Sequence, residues 1–206
     1  MPRVSLKTPY RCFLQESAWI LNEFNQALYQ FRKGGITIRT FSLTAEMAAI
    51  RLHDSWARFC REIILSSAVD EPSTAQTIQL PKAPGILRRS DAIASILLAM
   101  RLRYEPRWAT ASQAVSAANA LRIANLATVS AALGAANSPA EDLCHVRNYF
   151  AHRAENTASQ VKGLSFYSAG LNLDALDLLG STVSGGVSRF ESWVLGLRAM
   201  ADAAIQ

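Results

Sequence analysis

The sequence predicts an all-α chain, and three observations carry that prediction. Apolar side chains recur every three or four residues over several stretches, and helix-starting and helix-stopping residues bracket those stretches. Two-residue alternation is confined to one short run, residues 36–41, which is expected to be an extended connector. A chain of 206 residues fits one domain and buries enough surface to fold without a metal or disulfide staple.

The elements follow in order. Thr8 and Pro9 open the first helix as N-cap and first helical residue; Gly34 and Gly35 stop it after Lys33. Between them Phe13, Trp19, Ile20, Phe24, Leu28 and Phe31 form its apolar pattern. A second helix is expected after Thr44, with Ala49, Leu52, Trp56, Phe59 and Ile63 on one face. Pro72, Pro81, Pro84 and Gly85 then punctuate a polar connector of 16 residues, 70–85, longer than compact domains commonly use. Residues 93–104 predict a third helix, ended by Glu105 and Pro106. Alanine-rich residues 108–133 predict two shorter helices closed by Gly134. Ser138 and Glu141 make a capping box around Pro139 and so a strong helix start. The last helix uses Val187, Phe190, Val194, Leu197, Ala201 and Ile205, spaced 3, 4, 3, 4 and 4.

Composition excludes several classes. Hydrophobic residues make up 50% and charged residues 18%, which is an ordinary globular balance and not that of a disordered chain. Cys12, Cys60 and Cys144 lie far apart, so neither a zinc ribbon nor a disulfide framework is expected. Pro2, Arg3 and Lys7 do not lead into a signal-peptide apolar run. Residues 123–140 lack charge, but Asn125, Thr128, Ser130, Asn137, Ser138 and Pro139 interrupt them, so they read as buried helix. The expectation is a soluble, cytoplasmic chain with no membrane partner. The net charge of +5 points to a polyanionic partner, and 17 of the 21 basic residues are arginines, whose planar fork suits phosphate. An Arg- and Ala-rich composition is equally what a GC-rich genome writes.

The chemistry concentrates on the helix opened by Ser138. At about 100° per residue, Leu143, Val146, Phe150, Ala154 and Val161 fall on one side. Glu141, His145, Asn148, His152 and Glu155 fall on the other. Asn148 and His152, four apart, stand side by side. Arg147 lies about 140° around the axis from His152. It joins the polar front only by its long reach, by a local distortion, or through a second chain.

The string Arg147-Asn148-Tyr149-Phe150-Ala151-His152 resembles the signature of the HEPN superfamily: arginine, a polar residue directly after it, and histidine, written R-x4-6-H. The match covers this one helix closely and the rest of the chain by helical class. The resemblance implies an HEPN-like antiparallel helical bundle, here a single domain over residues 1–206 with additional short helices and the connector near 70–85. It implies a metal-independent ribonuclease with Arg147, Asn148 and His152 in the active site, a homodimeric assembly, and a role as a toxin or anti-phage effector. An antitoxin or regulatory protein is then an implied partner. In some members of the family a tyrosine two places after the histidine is modified by a partner enzyme; that position here is Ala154, so the resemblance does not extend to this route of regulation.

Elementary chemistry agrees with this assignment. Cutting RNA without a metal or other cofactor requires activating the 2′-hydroxyl, stabilising the phosphorane charge and protonating the departing 5′-oxygen. Histidine is the natural proton carrier near neutral pH, and arginine supplies fixed positive charge at the transition state. One histidine serves poorly as both base and acid, whereas a two-fold dimer supplies two. Arg153, His145, Arg103 and Arg107 are candidate RNA contacts, the last two from a basic group that includes Arg88, Arg89 and Arg101. A solvated face accounts for the same residues.

Other motifs carry less. His53-Asp54 suggests an HD phosphohydrolase, but no histidine precedes His53 to complete its metal site. Arg51, Asp54, Arg58 and Glu62 read instead as a charge ladder on one helix. Cys144 and His145 are adjacent on a helix, diverge by about 100°, and do not form a nucleophile–base pair. Trp19, Trp56, Trp108 and Trp193 read mostly as core, with base stacking a lesser option for Trp108. The rival function is a non-catalytic HEPN module that holds RNA or nucleotide, or serves as a dimerising partner; weaker still is a structural helical adaptor.

Overall fold

The computed structural model describes residues 5–69, 81, 83–134, 138–168, 170–183 and 185–206. It is all-α: among these residues there is no strand, though Thr182 and Ser188 form an isolated bridge and Ser5 is a bridge residue. The helices are α1 (Lys7–Arg32), α2 (Ile38–Val69), α3 (Arg89–Ala99), α4 (Ala111–Leu121), α5 (Leu126–Leu133), α6 (Pro139–His152), α7 (Glu155–Lys162) and α8 (Arg189–Ala204). A single π-helical turn, Leu176–Gly180, precedes α8. Among the described residues no helix is long and apolar enough to cross a membrane. Most of the expected connector, residues 70–80 and 82, lies outside the described residues.

Four boundaries differ from the sequence reading, each for a local reason. Ser5, not Thr8, opens α1: its hydroxyl accepts from the Lys7 N–H at 3.3 Å and its carbonyl from the Thr8 N–H at 2.9 Å. Pro9 still fits, because N–H groups of the first turn have no intrahelical acceptor. The expected connector at 36–41 is instead the start of α2. Thr37 caps it, its hydroxyl accepting the Thr40 N–H at 3.2 Å and its carbonyl the Phe41 N–H at 3.0 Å. The third helix runs from Arg89 to Ala99 and not to Tyr104, because Arg101 turns left-handed at φ 52°. The long stripe through Ala154 and Val161 is two helices: α6 ends at His152, and Ala154 is exposed at the start of α7.

The chain forms two compact units. One comprises Met1–Leu14, Trp56–Ser138 and Arg198–Gln206. Its core includes Phe13, Trp56 and Phe59, whose rings lie 5.4–5.6 Å apart. Trp56 and Trp108 are buried, and the Trp108 indole N–H donates to Glu105, so Trp108 has no face free for a base.

The other unit, Gln15–Ser55 with Pro139–Leu197, contains α6. Phe24 of α1 sits at its centre, 4.5 Å from the Phe190 ring of α8 and 6.0 Å from Phe41 of α2. Leu143, Val146 and Phe150 form the buried back of α6, as their spacing predicts. Each such side chain contributes roughly 1.5–3 kcal/mol of burial, enough to hold the helix without strong propensity. The back of α6 approaches α8 closely at its first residue: a Cβ at Gly196 would stand 2.9 Å from Pro139 Cγ. Trp19 departs from its expected core place. It is 46% exposed, and the Arg51 guanidinium lies over its ring at 3.7 Å while pairing with Glu23 at 3.0 Å. Two members of the expected ladder on α2 have partners outside it, Arg51 on α1 and Glu62 with Arg61 and Arg89.

Candidate functional site

Arg147 and Asn148 meet on α6. The arginine's long side chain bends back so that Nη1 donates to Asn148 Oδ1 at 3.3 Å, and Asn148 Nδ2 donates to Cys144 Sγ at 3.7 Å. Arg147 is half-buried, its Nε is shielded from solvent without a partner, and no carboxylate pairs with it among the described residues. A guanidinium in that state is a local positive charge with unused donors.

His53 of α2 lies within the field of Arg147. Its side chain is mostly buried, and Nδ1 donates to Asp54 Oδ1 at 3.2 Å. Burial pushes its imidazole pKa below the ordinary value, the Arg147 charge pushes the same way, and the hydrogen bond to Asp54 opposes both. Sequence reasoning weighed His53 only as a metal ligand and so missed this placement. The available signal was spacing: Glu46 and His53 are seven apart and share one side of α2. Glu46 ion-pairs with Arg153 at the end of α6, while the charge of Arg147, six residues earlier, reaches His53.

Arg153 ends α6 in the left-handed region at φ 49°, its N–H donating to the Tyr149 carbonyl at 2.7 Å. Its guanidinium lies over the rings of Tyr149 and Phe150 at 5.1 and 5.3 Å and pairs with Glu46. These contacts occupy much of the cation expected to meet RNA. His152, the last residue of α6, is exposed, and no hydrogen bond joins it to Arg147 or Asn148 among the described residues.

His145 belongs to a different flank of α6. Its Nδ1 is shielded without a partner, and it lies in the field of Asp142, as does Arg189 of α8. Burial raises the Asp142 carboxyl pKa and lowers that of Arg189. The Arg189 guanidinium lies over the Phe166 ring at 4.1 Å and donates to Ser181 Oγ at 3.2 Å. Arg103 and Arg107 are exposed on the loop between α3 and α4, in the unit without α6. The structure thus brings Arg147 and Asn148 together, puts His53 within reach of the Arg147 charge, leaves His152 exposed at the end of α6, and puts Arg103 and Arg107 elsewhere in the chain. Comparison with family models, with curated proteins and with solved structures gave no match for this chain.

Proposed function

We propose that this chain is an HEPN-type, metal-independent endoribonuclease. The observation that carries the reading is Arg147: a half-buried guanidinium without a carboxylate partner among the described residues, hydrogen-bonded to Asn148, on the helix that ends in an exposed histidine. In the proposed reaction His152 removes the proton from the 2′-hydroxyl. The 2′-oxygen attacks phosphorus, and the bond to the 5′-oxygen breaks. Arg147 stabilises the phosphorane, Asn148 orients it, and the second copy's histidine, in a homodimeric composite site, protonates the leaving oxygen. The products are 2′,3′-cyclic phosphate and 5′-hydroxyl ends. Such an activity suits a toxin or anti-phage effector restrained by a regulatory protein, and it requires no cofactor.

The test is incubation of the purified protein with total RNA in EDTA beside the His152→Ala variant. Cleavage by the first and a loss of at least a hundredfold in the second is expected, the usual scale for removing a general acid–base group. Equal cleavage by both proteins would remove His152 from the mechanism. The second reading, an HEPN module that holds RNA without cutting it, is favoured by the lack of any hydrogen bond from His152 to Arg147 or Asn148 among the described residues. Retardation of RNA on a gel with no cleavage by either protein would support that reading.

A further inference from the structure

The loop between α3 and α4 presents an aromatic ring among unpaired arginines on a rigid base. Glu105 anchors it: Arg61 Nε and Nη2 donate to its two carboxylate oxygens at 2.9 and 3.1 Å, and the Trp108 indole N–H donates at 3.2 Å. Pro106 and Trp108 are buried. At the other end, α3 closes with the Leu102 N–H on the Leu97 carbonyl at 2.9 Å and the Arg101 N–H on the Leu98 carbonyl at 3.3 Å. This is a Schellman closure with arginine in the left-handed position where glycine is the usual occupant.

What stands out from this base is Tyr104, 71% exposed. The Arg103 guanidinium lies 5.3 Å from the centre of the Tyr104 ring. Arg101, Arg103 and Arg107 have no carboxylate partner among the described residues, since Glu105 is engaged by Arg61. Three uncompensated cations in seven residues, with a ring held open to solvent, match the means by which single strands are bound: phosphates on arginine, a base on an aromatic face. A duplex hides its base faces in the stack and offers nothing to Tyr104.

We propose that residues 100–107 form a docking surface for single-stranded nucleic acid, with Tyr104 stacking a base and Arg101, Arg103 and Arg107 holding phosphates. If the ribonuclease reading is right, the strand is RNA, but the surface is argued from the loop alone.

The test measures fluorescence anisotropy of labelled oligouridine 12-mers, oligothymidine 12-mers and a 12-base-pair RNA duplex. The full chain carries His152→Ala throughout, so that substrate is not consumed. Tyr104→Ala is expected to weaken single-strand affinity about tenfold, and Tyr104→Phe to leave it within about twofold, as stacking without a hydroxyl requirement predicts. Replacing Arg103 and Arg107 by alanine is expected to flatten the dependence of log affinity on log salt by about 1.4, near 0.7 per phosphate contact released. Unchanged affinity in Tyr104→Ala with an unaltered circular dichroism spectrum would overturn the proposal, as would equal binding of the duplex. So would binding to phosphatidylserine vesicles with none to either oligomer. Cleavage by the unmutated chain is scored separately: Tyr104-dependent binding without cleavage keeps this surface and removes the ribonuclease, and cleavage with Tyr104-independent binding does the reverse.

Discussion

His53 and Arg147 lie on different helices of one unit, and the charge of the second acts on the protonation of the first. Because burial and Arg147 depress the His53 pKa, the fold favours the neutral imidazole over the imidazolium. The stability this contributes is fully present above the ordinary value near 6.5 and is lost as pH falls through the depressed value. Urea midpoints measured at pH 7.5 and 5.5 are therefore expected to drop toward acid, and to drop less in His53→Gln. An equal drop in both proteins would show that His53 is not the group responsible. The contact between Arg147 and Asn148 was within reach of sequence reasoning, since a long reach was one way for Arg147 to join the polar front; no hydrogen bond closes the 140° gap to His152 among the described residues. The approach of His53 was not within reach, because it depends on how α2 registers against α6, and a linear pattern carries no register between distant helices.

Helix interiors were legible in the sequence and their ends were less so. Ala49, Leu52, Trp56, Phe59 and Ile63 are all buried on α2, as their spacing required. Yet the same helix begins at Ile38, because the Thr37 hydroxyl caps it there, a signal that the brief alternation at 36–41 hides in the sequence. The break after His152 carries no glycine or proline to announce it; the pairing of Arg153 with Glu46 and its stacking on two rings accompany that turn. Left-handed arginines recur at 101, 122 and 153, each where α3, α4 or α6 stops. Arg101 and Arg153 have rings or a proposed ligand to justify the geometry. Arg122 is exposed with no side-chain partner among the described residues. A non-glycine residue in that conformation costs roughly 1–2 kcal/mol, offset in part by glycine's greater freedom when unfolded. Arg122→Gly is accordingly expected to stabilise the chain by about 0.5–1 kcal/mol in urea denaturation, while a loss of stability would mean that the arginine makes a contact worth more than its strain.

At the scale of the molecule, the fold class was legible and the division into two units was not. Three of the four unit boundaries fall inside α1, α2 and α8, where no linker or change of composition marks them; the fourth falls between Ser138 and Pro139, at the start of α6. The proposed reaction adds a requirement beyond the single chain, since acid and base come from two copies of His152. Sedimentation equilibrium at micromolar concentration is expected to give twice 22.5 kDa, and a mass of one chain would exclude the composite site. The unit that contains α6 also holds the close approach of Gly196 to Pro139. Those two positions share one small volume, so over the history of the chain neither can grow unless the other shrinks. The helix that bears Arg147, Asn148 and His152 is thus tied to an exchange made on the side that packs against α8.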